Sequence, residues 1–251
     1  MTASLTQDRP PISSMTPVHR LLVSRRDPET RQYQSLGFLS LVDGRYRFAY
    51  LRMAAMDGSF RPLIGFSDPT HPYESEQLFP IFAERVMSPR RPDRSAVLEA
   101  LGLGLDAEPF EVLARSGGRR VGDAIELVPV PDQCSGSVFV DYFVHGVRYM
   151  TASAQRLITS LAPDQALHLV PEPANPVDHR AVLVTSTDDV RLGYVPTPLL
   201  ELVGAIEGTE TRVLRANGPE VGFHYRLLVR SSGVVCEGAT PFAGPDWQTV
   251  E

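Results

Sequence analysis

The sequence predicts an α+β protein with two domains, and three observations lead to this prediction. Short runs of alternating apolar and polar residues, ended by Gly, Asp or Pro, recur along the 251 residues and are typical of strands. Apolar residues at helical spacing are concentrated between residues 78 and 113. Residues 131–137 mix Pro, Gly and Ser without periodic apolar residues, so we place the linker between the two domains there.

The predicted domains follow from this division. Residues 1–17, rich in Ser, Thr and Pro, are expected to form a flexible tail before an α/β domain over residues 18–130. The second, mostly β domain covers residues 138–232, and residues 233–251 are expected to be a C-terminal tail.

The first domain begins with a predicted hairpin. Asp43-Gly44 between two alternating runs is a strong two-residue turn signal. Strands are predicted at residues 20–24, 36–42, 46–51, 61–66 and 122–129. Helices are predicted at residues 78–86 with Pro80 in the first turn, at 94–101 capped by Asp93, and at 110–113 ended by Gly117-Gly118.

The second domain is predicted to consist of short strands with one or two helices. The strands are expected at residues 138–144, 167–170, 181–184, 191–195, 211–214 and 225–229. Ser153 is expected to cap one helix, and Pro198 suits the first turn of another. Many short strands with few helices indicate a small, partly open barrel.

Charge and composition exclude several function classes. The net charge is −6, and dividing the chain after Ser135 leaves −1 in the first part and −5 in the second. A broad basic surface for nucleic acid is therefore excluded, and any such contact must be a local pocket. No apolar run is long enough to span a membrane and no hydrophobic signal core is found, so we expect a cytoplasmic protein. Cys134 and Cys236 have no partners at metal-binding spacing.

The stretch Glu172-Pro-Ala-Asn-Pro-Val-Asp178 lies between two predicted strands and is the leading candidate for a ligand-binding segment. Its two prolines fix φ and stiffen the turn, so that Asn175 and Asp178 project from a rigid elbow. The alternative is an ordinary turn in which Asn and Asp bond to their own backbone. Arg148 and Tyr149, which follow Gly146, suit contacts to a phosphate and a base; alternatively, they are an exposed Arg and a core-edge Tyr.

Three motifs in the second half resemble the HIRAN domain over about residues 137–230. They are FVHGVRY at residues 143–149, LVPEPANPVDHRAV at 169–182 and LGYVP at 192–196. The resemblance implies an OB-like barrel that binds the 3′-hydroxyl end of single-stranded DNA. It implies that Asp178 accepts a hydrogen bond from the terminal hydroxyl and that Asn175 supports the pocket. Val177 replaces an aromatic residue that is frequent in the family, and Pro196-Thr-Pro198 replaces basic ones.

The first half resembles the N-terminal subdomain of HipA-type toxin kinases over about residues 18–130. The resemblance rests on the hairpin at 43–44, the stretches 78–86 and 94–103, and residues 110–113 through 122–125. It implies a docking module that restrains a separate HipA-like kinase in a toxin–antitoxin or defence system. Phe79, Phe82 and Tyr73 are candidates for the docking surface; the alternative is that they are core residues. The kinase core itself is missing, and Ser116-Gly-Gly-Arg-Arg120 is not a phosphate-binding loop.

These observations favour a non-catalytic protein without cofactor or metal. One half would bind a DNA end through Arg148, Tyr149, Asn175 and Asp178, and the other would dock a protein. The main alternative is a purely protein-binding regulator whose HIRAN-like barrel has lost DNA binding, as the acidic second half and Val177 suggest. A hydrolase is the third class: Glu172 and Asp178 could form a carboxylate pair, but no nucleophile accompanies them.

Overall fold

The chain folds into two antiparallel sheets with short helices around them. The computed structural model describes residues 19–30, 32–58, 60–120, 122, 124–131, 136–236, 238–239 and 241–251. The predicted N-terminal tail at 1–17 and most of the predicted linker lie outside these residues. The predicted α+β class, with most strands in antiparallel sheets, is confirmed.

The first sheet is built from residues of the first half. Its five strands are β1 (Arg20–Arg26), β2 (Tyr33–Val42), β3 (Arg45–Tyr50), β4 (Tyr73–Ser75) and β5 (Ile125–Pro129). Their spatial order is β4-β3-β2-β1-β5, with every neighbouring pair antiparallel. The helices of this half are α1 (Arg52–Met56), α2 (Pro80–Ala83), α3 (Arg94–Ala100) and α4 (Pro109–Ser116).

The second sheet forms a partly open barrel. Its strands are β6 (Gly136–Phe143), β7 (Ala166–Pro171), β8 (Val182–Ser186), β9 (Arg191–Tyr194), β10 (Ile206–Ala216) and β11 (Leu227–Val235), in the order β6-β11-β10-β7-β8-β9. A single antiparallel bridge between His145, just after β6, and Tyr194 at the end of β9 brings the two edges together. Two helices accompany the sheet, α5 (Ala152–Ser160) and α6 (Leu200–Ala205).

Two local signals in the first half are confirmed by backbone geometry. Asp43 and Gly44 both have positive φ, 49° and 75°, as a two-residue hairpin between β2 and β3 requires. Gly117 has φ 69° directly after α4, which is the left-handed conformation that ends a helix and that glycine adopts without steric cost. In both places a few adjacent residues determine the backbone.

The predicted strand at residues 61–66 is wrong. The hydroxyl of Tyr50 accepts a hydrogen bond from the Leu63 amide (2.7 Å) and donates one to the Phe66 carbonyl (2.9 Å). The segment therefore bonds to a buried side chain instead of a sheet edge, and it turns at Gly65, where φ is 87°. Leu63 and Phe66 are buried while Ile64 is exposed.

Of two predicted helix caps, Asp93 is confirmed in position but makes no capping bond through its side chain, and Ser153 is wrong. Asp93 precedes α3 as expected, but its carboxylate accepts from the Arg91 guanidinium instead of the helix backbone. In the second half the cap of α5 is Thr151, whose hydroxyl accepts from the Ala154 amide at 3.2 Å, whereas Ser153 lies inside the first turn. The Asp93 carboxylate bonds to the charged guanidinium two residues before it. For α5, the hydroxyl of Thr151, two residues before Ser153, is the group that caps the helix.

The predicted docking residues of the first half belong to its core. Phe82 is fully buried, and Tyr73 and Phe79 are partly buried against the same cluster. The Phe66 ring contacts all three rings, with centroid distances of 4.9 to 5.8 Å. Packing in the core of the first half therefore accounts for all three rings, which agrees with the alternative that they are core residues.

The two halves share a hydrophobic core. Leu22, Phe38 and Val128 of the first sheet belong to the same buried cluster as Leu199 and Val229 of the second half. A second shared cluster joins α3 and α4 to the barrel; its members include Leu98, Val112, Phe143 and Leu228. The strand β6 begins at Gly136, inside the interval predicted to be the linker. The division into domains remains a prediction, but the halves are packed together closely.

Residues assigned to a C-terminal tail are folded. Phe242 and Val250 are buried, and the Trp247 ring lies 6.0 Å from that of Phe38. The Val250 amide donates to the Tyr50 carbonyl at 2.9 Å, and Thr249 forms a bridge with Leu51. Large apolar side chains after β11 thus attach the segment to the first sheet.

The described residues contain neither a membrane-spanning helix nor a cluster of metal ligands. None of their helices is both long and apolar enough to cross a membrane. Nor do three or more His, Cys, Asp or Glu side chains in this part of the chain come together as metal ligands would.

Candidate nucleic-acid interface

Arg148 and Tyr149 lie side by side on an exposed turn, residues 146–149, which we call the arginine–tyrosine turn. Gly146 has φ 74°, which reverses the chain after β6 and starts a 3-10 helix over Val147–Tyr149. The side chain of Val147 is buried beneath the turn, whereas Tyr149 is 74% exposed. The Arg148 guanidinium lies 5.2 Å from the centre of the Tyr149 ring. A cation and an aromatic face are thus presented together to solvent.

The backbone of this turn is held by α5. The side-chain amide of Gln155 donates to the carbonyls of Met150 (3.0 Å) and Val147 (3.3 Å), and the Tyr149 amide donates to Gly146 (2.9 Å). Because the backbone is fixed by these bonds, binding a ligand requires ordering only the outer parts of the two side chains.

The elbow, residues 172–180, is held by its own polar side chains. Asn175 Oδ1 accepts from the amides of Val177 (3.0 Å) and Asp178 (3.3 Å), and its Nδ2 donates to Glu172 Oε2 (3.0 Å). Asp178 Oδ1 accepts from the Arg180 amide at 2.9 Å. The structure thus shows the self-bonded turn that was the alternative for Asn175 and Asp178. Val177 is 60% exposed at its tip.

Tyr194 joins the elbow to β9. Its hydroxyl donates to Glu172 Oε2 (2.9 Å) and accepts from Arg191 Nη2 (2.9 Å), while Arg191 Nη1 lies 2.7 Å from Glu172 Oε1. Desolvation acts to raise the pKa of Glu172, but hydrogen bonds from Asn175, Arg191 and Tyr194 outweigh it and hold that pKa below its usual value. The hydrogen bonds therefore favour the ionised form of Glu172, which anchors the elbow to β9.

Tyr194 also joins the elbow to the arginine–tyrosine turn. The amides and carbonyls of His145 and Tyr194 exchange two hydrogen bonds of 2.8 Å. This close approach requires glycine at 193, where φ is 145° and a Cβ would overlap the His145 carbonyl oxygen. A Cβ on Gly146 would likewise come within 3.3 Å of the Tyr194 ring.

The four predicted site residues thus form two pairs. Arg148 contacts Tyr149, and Asn175 bonds to Asp178, while Tyr194 lies between the pairs and touches both segments. The roles of Tyr194 and Arg191 were missed in the sequence. Tyr194 was inside the quoted LGYVP motif, and its polar tip on a short edge strand was the signal that could have identified it.

A third segment adjoins the arginine–tyrosine turn. A 3-10 helix over Phe223–Tyr225 packs beside the one over Val147–Tyr149, and its Phe223 is 43% exposed. The sequence pattern predicts a strand from residue 225, so this 3-10 helix was not expected. Phe223 adds a second exposed ring to the surface that carries Tyr149.

A buried polar cluster lies where the two halves meet behind the turn. Glu126 of β5 accepts from Tyr33 Oη (2.6 Å) and Arg119 Nη2 (2.9 Å), and its Oε1 lies 2.9 Å from His145 Nε2. Burial acts to raise the pKa of Glu126, but His145, Arg119 and the hydrogen bonds hold it well below its usual range. His145 therefore links the base of the turn to an ionised carboxylate of the first half.

Comparison with known proteins agrees with the second half of the chain. The model of the HIRAN domain family matches residues 137–203, roughly a quarter of the sequence. No curated protein matches the chain. The match does not include residues 19–131, so the HipA resemblance of the first half stays a prediction.

Two solved structures are similar to part of the chain. The HIRAN domain of human HLTF is 18% identical, with 41% of this chain and 84% of that one covered and a TM-score of 0.31. A protein from Lactobacillus plantarum is 21% identical, with 39% and 99% covered and a TM-score of 0.30. The family match includes the arginine–tyrosine turn, the elbow and Tyr194, and the predicted HIRAN domain is confirmed over residues 137–203.

Proposed function

We propose that this protein binds nucleic acid, and specifically the 3′-hydroxyl end of single-stranded DNA, through its HIRAN region. HIRAN is a family of DNA-binding domains, which supports nucleic-acid binding in general. The observation that supports the site most directly is the exposed Arg148–Tyr149 pair next to the elbow that holds Asp178. The proposed role is binding without catalysis.

Each side chain of the proposed site has a distinct task. The Arg148 guanidinium contacts a phosphate, and the Tyr149 ring stacks on a base, which contributes roughly 1–3 kcal/mol for each stacked base. Asp178 has two carboxylate oxygens with several lone pairs, so it can accept from a terminal hydroxyl while Oδ1 keeps the bond from the Arg180 amide. Asn175 does not contact the strand; it holds the elbow in shape.

The proposal explains how an acidic half can bind a polyanion. With a net charge of −5 after Ser135, long-range attraction to DNA is absent, and affinity must come from a few short contacts. A carboxylate in the pocket then acts as a selectivity device. It favours a hydroxyl, which donates a hydrogen bond, and disfavours a terminal phosphate, which adds a like charge.

Fluorescence anisotropy with a short 5′-labelled single strand tests the proposal. Wild-type protein should bind the strand with a free 3′-hydroxyl more tightly than the same strand with a 3′-phosphate. Asp178→Ala should weaken hydroxyl-end binding and narrow the difference between the two ends. Arg148→Ala should weaken both ends and reduce the dependence of affinity on salt.

A matched control is Arg180→Ala, which leaves the Asp178 carboxylate in place and removes a side chain 3.4 Å from it. This variant should keep the preference for the hydroxyl end. Equal affinity for both ends in the wild type would contradict end recognition, and no binding at low salt would contradict nucleic-acid binding. The latter result would favour the protein-binding regulator, for which the exposed Val177 at the elbow tip is the supporting observation.

A role for the first half in restraining a HipA-like kinase in a toxin–antitoxin or defence system is a separate proposal. It rests on the sequence resemblance of residues 18–130 alone, and Tyr73, Phe79 and Phe82 do not supply a free docking face because they pack in the core. Co-purification of the full chain with a kinase would support it. Recovery of the chain without any bound protein would count against it.

A further inference from the structure

The first half places an arginine next to the proposed binding surface. Arg119 follows α4 and the Gly117-Gly118 turn, and its side chain extends across the boundary between the halves. Its Nη1 lies 3.3 Å from His224 Nδ1, and its Nη2 lies 2.7 Å from His145 Nε2. His145 immediately precedes the arginine–tyrosine turn, and His224 belongs to the 3-10 helix packed beside it.

Two guanidinium groups and one carboxylate lie close to His224, on the side of the turn that faces the first half. The carboxylate is that of Glu126, which is bonded to Arg119, and the guanidinium groups are those of Arg119 and Arg148, which both act on His224. Burial lowers the pKa of His224, and the nearby guanidinium groups of Arg119 and Arg148 act in the same direction. A local positive region thus exists in a protein whose net charge is −6.

Arg119 is ordered before any ligand arrives. Glu126 is itself held by Tyr33 of β2, and the Leu127 amide donates to the Gly117 carbonyl, which fixes the chain on both sides of the arginine. A guanidinium has five N–H donors in a planar fork, so the contacts with Glu126, His145 and His224 still leave N–H donors for another oxygen. The side chain is 25% exposed, which makes part of the fork accessible to solvent.

We propose that Arg119 contacts a backbone phosphate of the bound strand, so that the nucleic-acid site is a composite of both halves. This inference rests on the proposed function and extends it. The terminal nucleotide would lie at the Arg148, Tyr149 and Asp178 surface, and an internal phosphodiester would reach the Arg119–His224 region. The first half would then be part of the DNA-binding unit, beyond its role in packing against the barrel.

The test is the salt dependence of binding to a short 5′-labelled oligo-dT with a free 3′-hydroxyl. Because Arg119→Gln leaves Glu126 buried with fewer partners, the variant of choice is Arg119→Gln with Glu126→Gln, which removes both charges together. The double variant should lose affinity roughly three- to tenfold at low salt and reduce the slope of log K against log salt by about 0.7. Circular dichroism should show wild-type secondary structure.

Arg120 provides a matched control on the same segment. Its side chain is more exposed and lies 2.7 Å from Glu84, away from the histidines. Arg120→Gln should therefore leave affinity and salt slope unchanged. If the Arg119–Glu126 double variant also kept wild-type affinity and salt slope, while Arg148→Ala still weakened binding, the composite site would be overturned. The proposed function would then still stand. Absence of binding by the wild type would instead contradict the proposed function itself.

Discussion

The arginine–tyrosine turn and the elbow lie on either side of Tyr194, yet they use their side chains in opposite ways. In the turn, backbone bonds and Gln155 fix the chain, and the side chains of Arg148 and Tyr149 extend into solvent. In the elbow, the side chains of Asn175 and Glu172 fix the chain, with Tyr194 as their partner. The turn therefore presents its side chains to solvent, as the proposed binding surface requires, and the elbow is mainly a support.

This difference separates residues that matter for binding from residues that matter for folding. A substitution in the turn should change affinity with little effect on stability, whereas one in the elbow should change stability first and affinity as a consequence. Asp178 is the exception, because one of its oxygens supports the elbow and the carboxylate is also the proposed hydroxyl acceptor.

The largest expected effect comes from removing the junction between the two segments. Gly193→Ala places a Cβ against the His145 carbonyl oxygen at a φ of 145°, which L-residues rarely adopt. The loss of stability should be roughly 3 kcal/mol or more, and DNA binding should be lost with it. Urea unfolding and anisotropy measure the two losses.

The control for this substitution is Gly204→Ala. Gly204 lies in α6, and a Cβ there would meet no atom within 4 Å. Because alanine is a better helix former than glycine, the control should be neutral or stabilising by up to about 1 kcal/mol. Wild-type stability in Gly193→Ala would show that the His145–Tyr194 bridge does not depend on the close approach.

Lowering the pH should reduce the stabilising effect of Glu126, which supports the turn, more than that of Glu172, which supports the elbow. The pKa values of Glu126 and Glu172 are both held below that of a free glutamate, about 4.3, so their stabilising effect is present above that pH and is lost as pH falls towards the folded pKa. Glu126 is buried and Glu172 is partly exposed, so the effect of Glu126 should be larger.

Thermal unfolding between pH 7 and pH 3 tests this difference. Glu126→Gln should be less stable than wild type at pH 7, and the gap should shrink as pH falls below about 5. Glu172→Gln should show a smaller gap with the same sign. A gap for Glu126→Gln that stays constant over the whole range would mean that its charge does not stabilise the fold.

The smallest expected change in stability comes from the turn itself. Tyr149→Ala should alter the free energy of unfolding by about 0.5 kcal/mol or less, since the ring is 74% exposed, but should weaken DNA binding by roughly 1–3 kcal/mol. Asn175→Ala provides the contrast, with a stability loss of about 1–2 kcal/mol from its lost bonds. Equal stability losses in the two variants would contradict the view that the turn exposes its side chains while the side chains of the elbow stabilise the fold.

Features that depend on a few adjacent residues were predictable from the sequence. The Asp43-Gly44 hairpin, the end of α4 at Gly117 and the succession of short strands along the second half follow from local signals and alternation. The confirmed HIRAN region follows from the spacing of three motifs. Asn175 was placed correctly on a stiff turn, although its side chain bonds to the turn itself.

Features that depend on distant residues were not predictable. The strand expected at 61–66 was lost because its backbone bonds to the hydroxyl of Tyr50, more than ten residues earlier in the chain. The cluster of Glu126, Arg119 and His145 combines three chain segments, and no single-sequence pattern reports such a meeting. Local propensity describes one segment, whereas these bonds were determined by which segments the fold brings together.

The segment after β11 gives the chain an unusual connectivity. Because Val250 and Thr249 bond beside Tyr50 and Leu51, the polypeptide returns to the sheet where it began after passing through the barrel. A protease that cleaves between β5 and β6 would therefore leave two pieces still joined through the C-terminal segment, residues 241–251, and the shared core. If the two halves were pulled apart mechanically, the bonds of the C-terminal segment to the first sheet and the shared core would both have to break before the halves could separate.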